Sequence, residues 1–320
     1  MAEIGLGLAA LGRPAYINLG HDGDLEGVTA PQALEARCHE VLDAAAKAGI
    51  RYLDCARSYG RSEAFLGRWL RGRAVEPGAC RVASKWGYRY TANWDPDAEV
   101  HEVKDHSVEH LSKQHAESSE HLWEYLDIYQ IHSATLETGV LEDRAVLGTL
   151  GVLRDERGWE IGLSVSGPAQ AEVIDRALEV EISGAPLFRT VQATFNLLER
   201  SAGPALERAH AAGRRVVIKE GMANGRLARP EAGELPEPLA RSLKALARQL
   251  GVGFDAIALG ALLAQPFVSV ALSGAASVSQ LQSNLRGREL PPDELRSLWL
   301  ELEGQPASAY WSHRKALPWV

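Results

Sequence analysis

The sequence contains little cysteine, and its cysteines do not form a close pair. Cys38, Cys55 and Cys80 are odd in number and widely spaced along the 320 residues, so no disulfide framework is expected. No CxxC pair is present, which argues against a structural zinc site. The stretch from Met1 to Leu11 has no basic region of the kind that begins a secretory signal. These features predict a reducing, cytoplasmic compartment.

Long apolar runs and an excess of positive charge are also missing. No apolar run approaches the ~20 residues that cross a bilayer, so no membrane span is expected. The chain has 34 basic and 42 acidic residues, a formal net charge of −8. Proteins that bind nucleic acids or anionic membranes generally use a basic surface, so neither partner is expected. With 46% hydrophobic and 24% charged residues, the composition is that of an ordinary globular protein.

Short apolar runs alternate with longer amphipathic stretches throughout the chain. The pattern predicts strands at residues 4–8, 52–55, 81–85, 126–132, 160–164, 190–193, 216–219 and 268–272. It predicts helices at residues 31–48, 62–71, 104–123, 144–157, 169–180, 204–212, 238–250, 254–264 and 278–285. Strands joined through helices pair in parallel by right-handed crossovers. Eight such units in 320 residues fit a TIM barrel better than a doubly wound sheet.

We therefore predict an α/β fold with a single (β/α)8 TIM barrel domain over residues 1–320. A C-terminal tail, about residues 303–320, is placed where it can fold over the active site. The alternative is a Rossmann domain, because the run from Gly5 to Ala10 imitates the dinucleotide fingerprint. That fingerprint needs a helix that opens at the glycines, and Gly12 and Pro14 interrupt any such helix.

Chemistry-bearing residues follow neighbouring strands of the predicted barrel. Asp54 ends the second strand, with Tyr59 five residues later, while Lys85 ends the third strand and His132 the fourth. Each residue alone has an ordinary structural explanation, such as a turn cap or a hydrogen-bonded core histidine. Because active sites of TIM barrels lie at the C-terminal ends of the strands, all four together predict one catalytic cleft.

Several segments resemble the aldo-keto reductase family. They are the run from Tyr52 to Gly67, the pair Ser84-Lys85, the run from Asp127 to His132, and the run from Gly274 to Leu285. The resemblance extends from Gly5 to about Gly287. It implies a TIM barrel that reduces an aldehyde or ketone to an alcohol, or runs the reverse reaction, with a nicotinamide cofactor and without metal. It also implies a small-molecule carbonyl partner. The physiological substrate and the oligomeric state stay open.

The resemblance implies that Asp54, Tyr59, Lys85 and His132 are the catalytic residues. Hydride transfer to a carbonyl carbon leaves an alkoxide that needs a proton donor within hydrogen-bond reach. Tyr59 is the expected donor, with a phenol pKa lowered by the cationic Lys85, which Asp54 holds in place. His132 is expected to donate a hydrogen bond to the carbonyl oxygen and orient it.

The cofactor residues are also carried over from the resemblance. Ser164 and Gln192 are expected to hold the nicotinamide carboxamide. The segment with Ser273, Gly274, Gln280 and Asn284 is expected to bind the phosphates and adenine. At the end of the seventh strand the family usually has Tyr-Ser-Pro, whereas this chain has Lys219-Glu220-Gly221. Lys219 either reaches the pyrophosphate or pairs with Glu220. The resemblance predicts NADP(H) as the cofactor ahead of NAD(H). An arginine that the family often has near Ala276 is missing here, which weakens the case for a tightly held 2′-phosphate.

Aromatic residues near the strand ends are candidates for the substrate pocket, and aromatic walls suit an apolar or ring-containing carbonyl compound. These candidates are Tyr16, Trp86, Tyr88, Tyr90, Trp94 and Trp311. For Trp311, an equal alternative is that the tail simply packs on the barrel. His106 and His110 are spaced for one helix face and could bind a metal, but a solvated outer helix explains them and no metal site is predicted.

Two other functions stay open. One is an NAD(P)-binding regulatory or structural subunit with the same fold and little turnover, suggested by the altered end of the seventh strand. The other is an aldose or alcohol dehydrogenase, or a redox-neutral enzyme, because the same acid and base serve both reaction directions.

Overall fold

A closed parallel barrel forms the centre of the molecule. The computed structural model describes residues 2–229 and 235–320. Its barrel strands are β1 (Glu3–Gly7), β2 (Tyr52–Asp54), β3 (Arg81–Trp86), β4 (Leu126–Ala134), β5 (Glu160–Val165), β6 (Thr190–Thr194), β7 (Arg215–Lys219) and β8 (Val270–Ser273). Each strand pairs with the next in the chain, and β8 pairs with β1. The predicted single-domain (β/α)8 barrel is confirmed. Gly5 and Gly7 lie inside β1, so no helix opens there and the Rossmann alternative is excluded.

Helices surround the barrel. They are α1 (His21–Leu25), α2 (Pro31–Lys47), α3 (Ser62–Gly72), α4 (Val108–Leu122), α5 (Arg144–Arg157), α6 (Gln170–Leu178), α7 (Gly203–Ala211), α8 (Glu237–Leu250), α9 (Phe254–Leu263), α10 (Val278–Leu285), α11 (Pro292–Glu301) and α12 (Ala307–Ala316). The helices α2 to α10 follow the predicted order, while the short α1 was not predicted. Among the described residues, no single helix is long and apolar enough to cross a membrane. Only α8 and α9 taken together meet that test, and they are bent by 95°.

The predicted helix from residue 104 begins four residues later than expected. Residues Glu102–Lys104 instead form an antiparallel hairpin with Tyr88–Tyr90. The helix starts where Ser107 caps it, with the Ser107 hydroxyl accepting a hydrogen bond from the backbone N–H of His110 at 3.2 Å. His106 therefore lies outside the helix, so His106 and His110 do not share a helix face.

The chain after α10 returns to the C-terminal end of the barrel. It forms α11 and α12, which the strand-and-helix pattern did not predict. Beyond α12, the backbone of Val320 pairs with the backbone of Tyr16, with N–H to oxygen distances of 2.9 and 3.2 Å. The Trp319 ring stacks on His101 with ring centroids 4.4 Å apart. The loop after β1 and residues 319–320 therefore form one wall above the strand ends.

Candidate active site

A cavity of about 570 Å³ opens at the C-terminal ends of the strands. The residues predicted from the sequence that line it are Tyr16, Asp54, Tyr59, Tyr88, His132, Gln192, Lys219, Glu220, Gly221, Ser273, Gly274, Gln280 and Asn284. Residues that line it without having been predicted include Arg13, Glu102, Ser133, Asp255 and Arg314, and Trp319 of the predicted C-terminal tail lines it too. No periodic or motif signal in the sequence marks this second group, because the fold brings them in from distant loops and from the tail.

Lys85 and Asp54 form a buried ion pair beneath the floor of the cavity. They lie on the neighbouring strands β3 and β2 and are 0% and 2% exposed. The Lys85 ammonium donates to the Asp54 carboxylate and, at 2.9 Å, to the carbonyl oxygen of Cys55. The Gln192 amide donates to the second carboxylate oxygen of Asp54 at 2.9 Å. These contacts satisfy both charges, as a buried ion pair requires.

Tyr59 lies directly above this pair. The Lys85 ammonium is 4.9 Å from the centroid of the Tyr59 ring. The Tyr59 hydroxyl oxygen is 3.3 Å from Nε2 of His132, and the two rings meet edge to face with centroids 5.3 Å apart. The structure therefore brings together the four residues that the resemblance implied as catalytic.

A glycine contact fixes the loop that carries Tyr59. The backbone N–H of Arg61 donates to the carbonyl oxygen of Gly12 at 2.8 Å. A Cβ atom at Gly12 would overlap the carbonyl oxygen of Tyr59, so only glycine allows this close approach. The loop after β1 is thereby packed directly against the Tyr59 loop.

The protonation states differ from the sequence expectation at Tyr59. Burial and the nearby Asp54 carboxylate raise the pKa of Tyr59 well above its ordinary value, while Arg13 opposes them. The net shift is opposite to the lowering expected from Lys85, because burial is the largest contribution to the pKa of Tyr59. Burial and the charge of Lys85 hold the pKa of His132 well below its ordinary value. The phenol is therefore protonated and the imidazole neutral near pH 7.

The end of β7 carries a group of alternating charges. Nζ of Lys219 donates to Oγ1 of Thr194 at 2.8 Å and lies 3.8 Å from the Glu220 carboxylate. Nε of Arg314, from α12, donates to Glu220 at 2.8 Å. Two roles were expected for Lys219, contact with the pyrophosphate or a pair with Glu220. Its contacts in the structure correspond to the pair with Glu220. Glu220 has a positive φ of 54°, a strained backbone conformation of the type that clusters at functional sites.

Burial and charge shift both ionisable groups at this strand end. Burial lowers the pKa of Lys219 to about 8, although Glu220 opposes the shift. Burial alone would raise the pKa of Glu220, but Arg314 and Lys219 outweigh it and lower that pKa to about 2. Near pH 7 both Lys219 and Glu220 are charged.

The N-terminus of α10 forms the far end of the cavity. Ser277 caps this helix through a hydrogen bond from the N–H of Gln280, and Gln280 accepts one from the N–H of Ala276 at 2.8 Å. The Asn284 amide lies 2.8 Å from Oγ of Ser273. A helix N-terminus with nearby hydroxyl and amide groups suits a phosphate group.

Ser164 is not in the cavity lining, although the sequence placed it with the cofactor. Its hydroxyl oxygen accepts a hydrogen bond from the backbone N–H of Ser133 at 2.8 Å, which holds it between β5 and the end of β4. Ser166, two residues later, lines the cavity instead.

Four of the predicted substrate residues also do not line the cavity. Trp86 is fully buried behind β3 and meets His106 edge to face at 5.6 Å. The Trp94 indole donates to the carbonyl oxygen of Thr29 at 2.7 Å, and its backbone N–H donates to the Tyr90 hydroxyl at 3.3 Å. Trp311 is buried beside Tyr310 within the tail. Tyr16 and Tyr88 lie in the cavity wall as expected.

A closed parallel barrel with a cavity and charged residues at its C-terminal strand ends is the architecture of α/β-barrel enzymes, and the comparisons specify the class. The Aldo/keto reductase family profile matches residues 3–298, so the chain belongs to the aldo-keto reductase family of oxidoreductases. It is 25% identical over 292 residues to the uncharacterized oxidoreductase YqkF of Bacillus subtilis (strain 168), covering 81% of this chain and 85% of that protein.

Solved structures show the same fold. The aldo-keto reductase AKR11C1 from Bacillus halodurans, in its holo form, has a TM-score of 0.66 and 20% identity, covering 92% of this chain and 91% of that one. PA4992 from Pseudomonas aeruginosa, which carries an aldo-keto reductase name, has a TM-score of 0.62 and 22% identity, covering 91% and 90%.

Proposed function

We propose that the protein reduces an aldehyde or ketone to an alcohol, or catalyses the reverse reaction, with a nicotinamide dinucleotide as hydride carrier. The observation that carries this proposal is the placement of the Tyr59 hydroxyl beside His132 and above the Lys85–Asp54 pair in one cavity wall. A bound nicotinamide cofactor supplies the hydride, and the chain supplies the proton and the alignment.

Tyr59 acts as the proton donor. Its raised pKa keeps the phenol protonated, and its hydroxyl oxygen lies within hydrogen-bond distance of Nε2 of His132, at 3.3 Å. The neutral His132 imidazole donates its N–H to the carbonyl oxygen, which orients the substrate for attack. After proton transfer, the tyrosinate is stabilised by the positive charges of Lys85 at 4.9 Å and Arg13 at 5.1 Å from its ring centroid.

The residues present fit a dinucleotide. Gln192 lines the cavity beside Asp54 and is placed to hold the nicotinamide carboxamide, and the α10 N-terminus suits phosphate. The lining residues at the α10 end are Ser273, Gly274, Ala275, Ser279, Gln280, Ser283, Asn284 and the acidic Asp255, with no arginine or lysine among them. Arg229 also lines the cavity, but it is paired with Asp24. The lining residues at the α10 end therefore offer no cation of their own to a 2′-phosphate, and we expect NADH to bind at least as tightly as NADPH. The sequence resemblance favours the opposite order.

Titration of the protein with NADPH and NADH, followed by nicotinamide fluorescence, tests the proposal. A panel of aldehydes and alcohols then gives turnover and direction through nicotinamide absorbance. Oxidation of reduced cofactor by an aldehyde is the expected result. Tight binding without turnover would favour the regulatory subunit, and turnover with alcohols alone would favour the dehydrogenase. Binding of neither cofactor at millimolar concentration would contradict the enzyme function.

Lys219 gives cofactor binding a pH dependence. Its charge lies in the cavity and is lost as the pH rises through about 8. We expect the dissociation constant of the reduced cofactor to increase by about tenfold between pH 7 and pH 9, the effect of ~1.4 kcal/mol. In Lys219→Met, the reduced cofactor should bind more weakly at pH 7, and its dissociation constant should not change between pH 7 and pH 9. The exposed Lys244→Met on α8 is the matched control, and an unchanged pH profile in Lys219→Met would show that Lys219 does not act on the cofactor.

A further inference from the structure

Arg13 is a buried cation in the cavity wall, beside the proposed proton donor. Its side chain is 2% exposed. Three aromatic rings surround its guanidinium, with the Cζ atom 4.9 Å from the ring centroid of Tyr16, 5.1 Å from Tyr59 and 4.7 Å from Trp319. These rings come from the loop after β1, the loop after β2 and the tail. Arg13 is therefore held rigidly, and its position relative to Tyr59 is fixed.

The hydrogen bonds of Arg13 use only part of its guanidinium. Nη1 donates to the carbonyl oxygen of Ser58 at 3.2 Å and to the Glu102 carboxylate at 2.9 Å. Nε is buried without a hydrogen-bond partner in the described part of the chain, and the hydrogen bonds of the guanidinium to described residues both come from Nη1. Burying a polar group without a partner is costly. Glu102 and Ser58 thus use only Nη1, and the Nε–Nη2 edge, one of the guanidinium edges that can form a bidentate fork, has no acceptor among the described residues.

The potential around this part of the cavity is positive. Burial contributes most to the lowered pKa of His132, and positive charges lower it further. These charges are those of Lys85, Lys219, Arg13 and Lys104. The carboxylates nearby each pair with a cation, Asp54 with Lys85, Glu220 with Arg314 and Glu102 with Arg13, so the charges of Lys219 and Lys104 come in addition to these pairs. A neutral carbonyl compound would make no use of the remaining positive charge, whereas an anionic one would.

From these observations we infer that Arg13 binds a carboxylate on the carbonyl substrate, so that the enzyme prefers oxo acids or aldehyde acids to neutral carbonyl compounds. The inference rests on the proposed function for the reacting end of the substrate. The aromatic rings around Arg13 leave the guanidinium edge as the polar surface for recognition, and a planar carboxylate matches that edge in a bidentate geometry. Arg13 is thus a specificity-determining residue, and Tyr59 acts on the carbonyl beside it.

A matched pair of substrates tests the inference. The probes are 4-carboxybenzaldehyde and its methyl ester, which share the aldehyde and ring and differ in charge. We expect the wild-type kcat/KM for the acid to exceed that for the ester by about tenfold to a hundredfold, mostly through KM. In Arg13→Met both substrates lose the positive charge beside Tyr59, but only the acid also loses its binding partner, so the acid-to-ester ratio of kcat/KM should fall to about one. Arg13→Lys should keep part of the preference, because it keeps the charge but not the fork.

Binding measurements separate this inference from the proposed function. Benzoate, measured by calorimetry, should bind the wild type and the exposed-surface control Arg241→Met equally, and bind Arg13→Met at least tenfold more weakly. Because Arg13→Met leaves Glu102 unpaired, Arg13→Met/Glu102→Gln provides a variant without that buried charge. The inference would be overturned if the wild type had equal kcat/KM for the acid and the ester, or if Arg13→Met bound benzoate as tightly as the wild type. Neither result would contradict the proposed reductase function. Arg13-dependent benzoate binding without any cofactor binding would support the anion site and contradict the proposed function.

Discussion

A Tyr59→Phe variant should bind the reduced cofactor like the wild type and lose about 100-fold to 10,000-fold in turnover, the range that general acid catalysis contributes. The substitution keeps the ring, and with it the contacts to Lys85 and Arg13, but removes the hydroxyl 3.3 Å from His132. Steady-state rates with an aldehyde that the wild type reduces well measure the loss, and nicotinamide fluorescence shows that the cofactor site is intact. Full turnover in this variant would overturn the assignment of Tyr59.

The raised pKa of Tyr59 adds a pH test to the same experiment. The phenol must be protonated to donate, and burial together with Asp54 keeps it protonated well above pH 10. Reduction by the wild type should therefore show no loss attributable to the Tyr59 proton between pH 6 and pH 9. A fall in kcat in that range that disappears in Tyr59→Phe would contradict a raised pKa for the phenol.

Lys85→Met should cause a comparable loss of turnover and, in addition, a large loss of stability. It removes the positive charge under the Tyr59 ring and leaves the Asp54 carboxylate buried without its main partner. Breaking a buried ion pair from one side typically costs about 3–5 kcal/mol. Urea unfolding measures the stability, and kcat is compared with Tyr59→Phe. Because Tyr59 and Lys85 act as a unit, the double variant should be little worse than either single one.

The control for Lys85→Met is Asp54→Asn/Lys85→Met, which removes both charges of the pair. It should recover much of the stability lost in Lys85→Met without recovering turnover, because the ammonium beside Tyr59 is still absent. Strictly additive kinetic losses in Tyr59→Phe/Lys85→Met would instead mean that the two residues act independently. An undiminished free energy of unfolding in Lys85→Met would show that Asp54 finds another partner.

The barrel could be predicted from the sequence because its signals are local. Short apolar strands separated by helical stretches specify parallel pairing, and parallel pairing places the ends of β2, β3 and β4 at one edge. Asp54, Lys85 and His132 lie at or within two residues of the ends of these strands, so their proximity followed from chain order alone. The Tyr88–Tyr90 and Glu102–Lys104 hairpin was missed because its strands are three residues each, too short for a periodic pattern.

The cavity wall could not be predicted in the same way. Arg13, Glu102 and Trp319 are far apart in the sequence and meet only through the folded loops and the tail. The placement of Trp86 in the substrate pocket was an avoidable error, because successive residues of a strand point to opposite faces. Lys85 and Trp86 are adjacent in β3, so if Lys85 faces the interior of the barrel, Trp86 must face away from the cavity.

The pairing of Tyr16 with Val320 has a consequence for the order of events during synthesis. Every barrel strand and α10 leave the ribosome before Trp319 and Val320 do. The strand-end groups and the dinucleotide end can therefore assemble on a growing chain while the wall around Arg13 is still open. Selection of a substrate by its charge would then arise only after the catalytic groups at the strand ends have assembled.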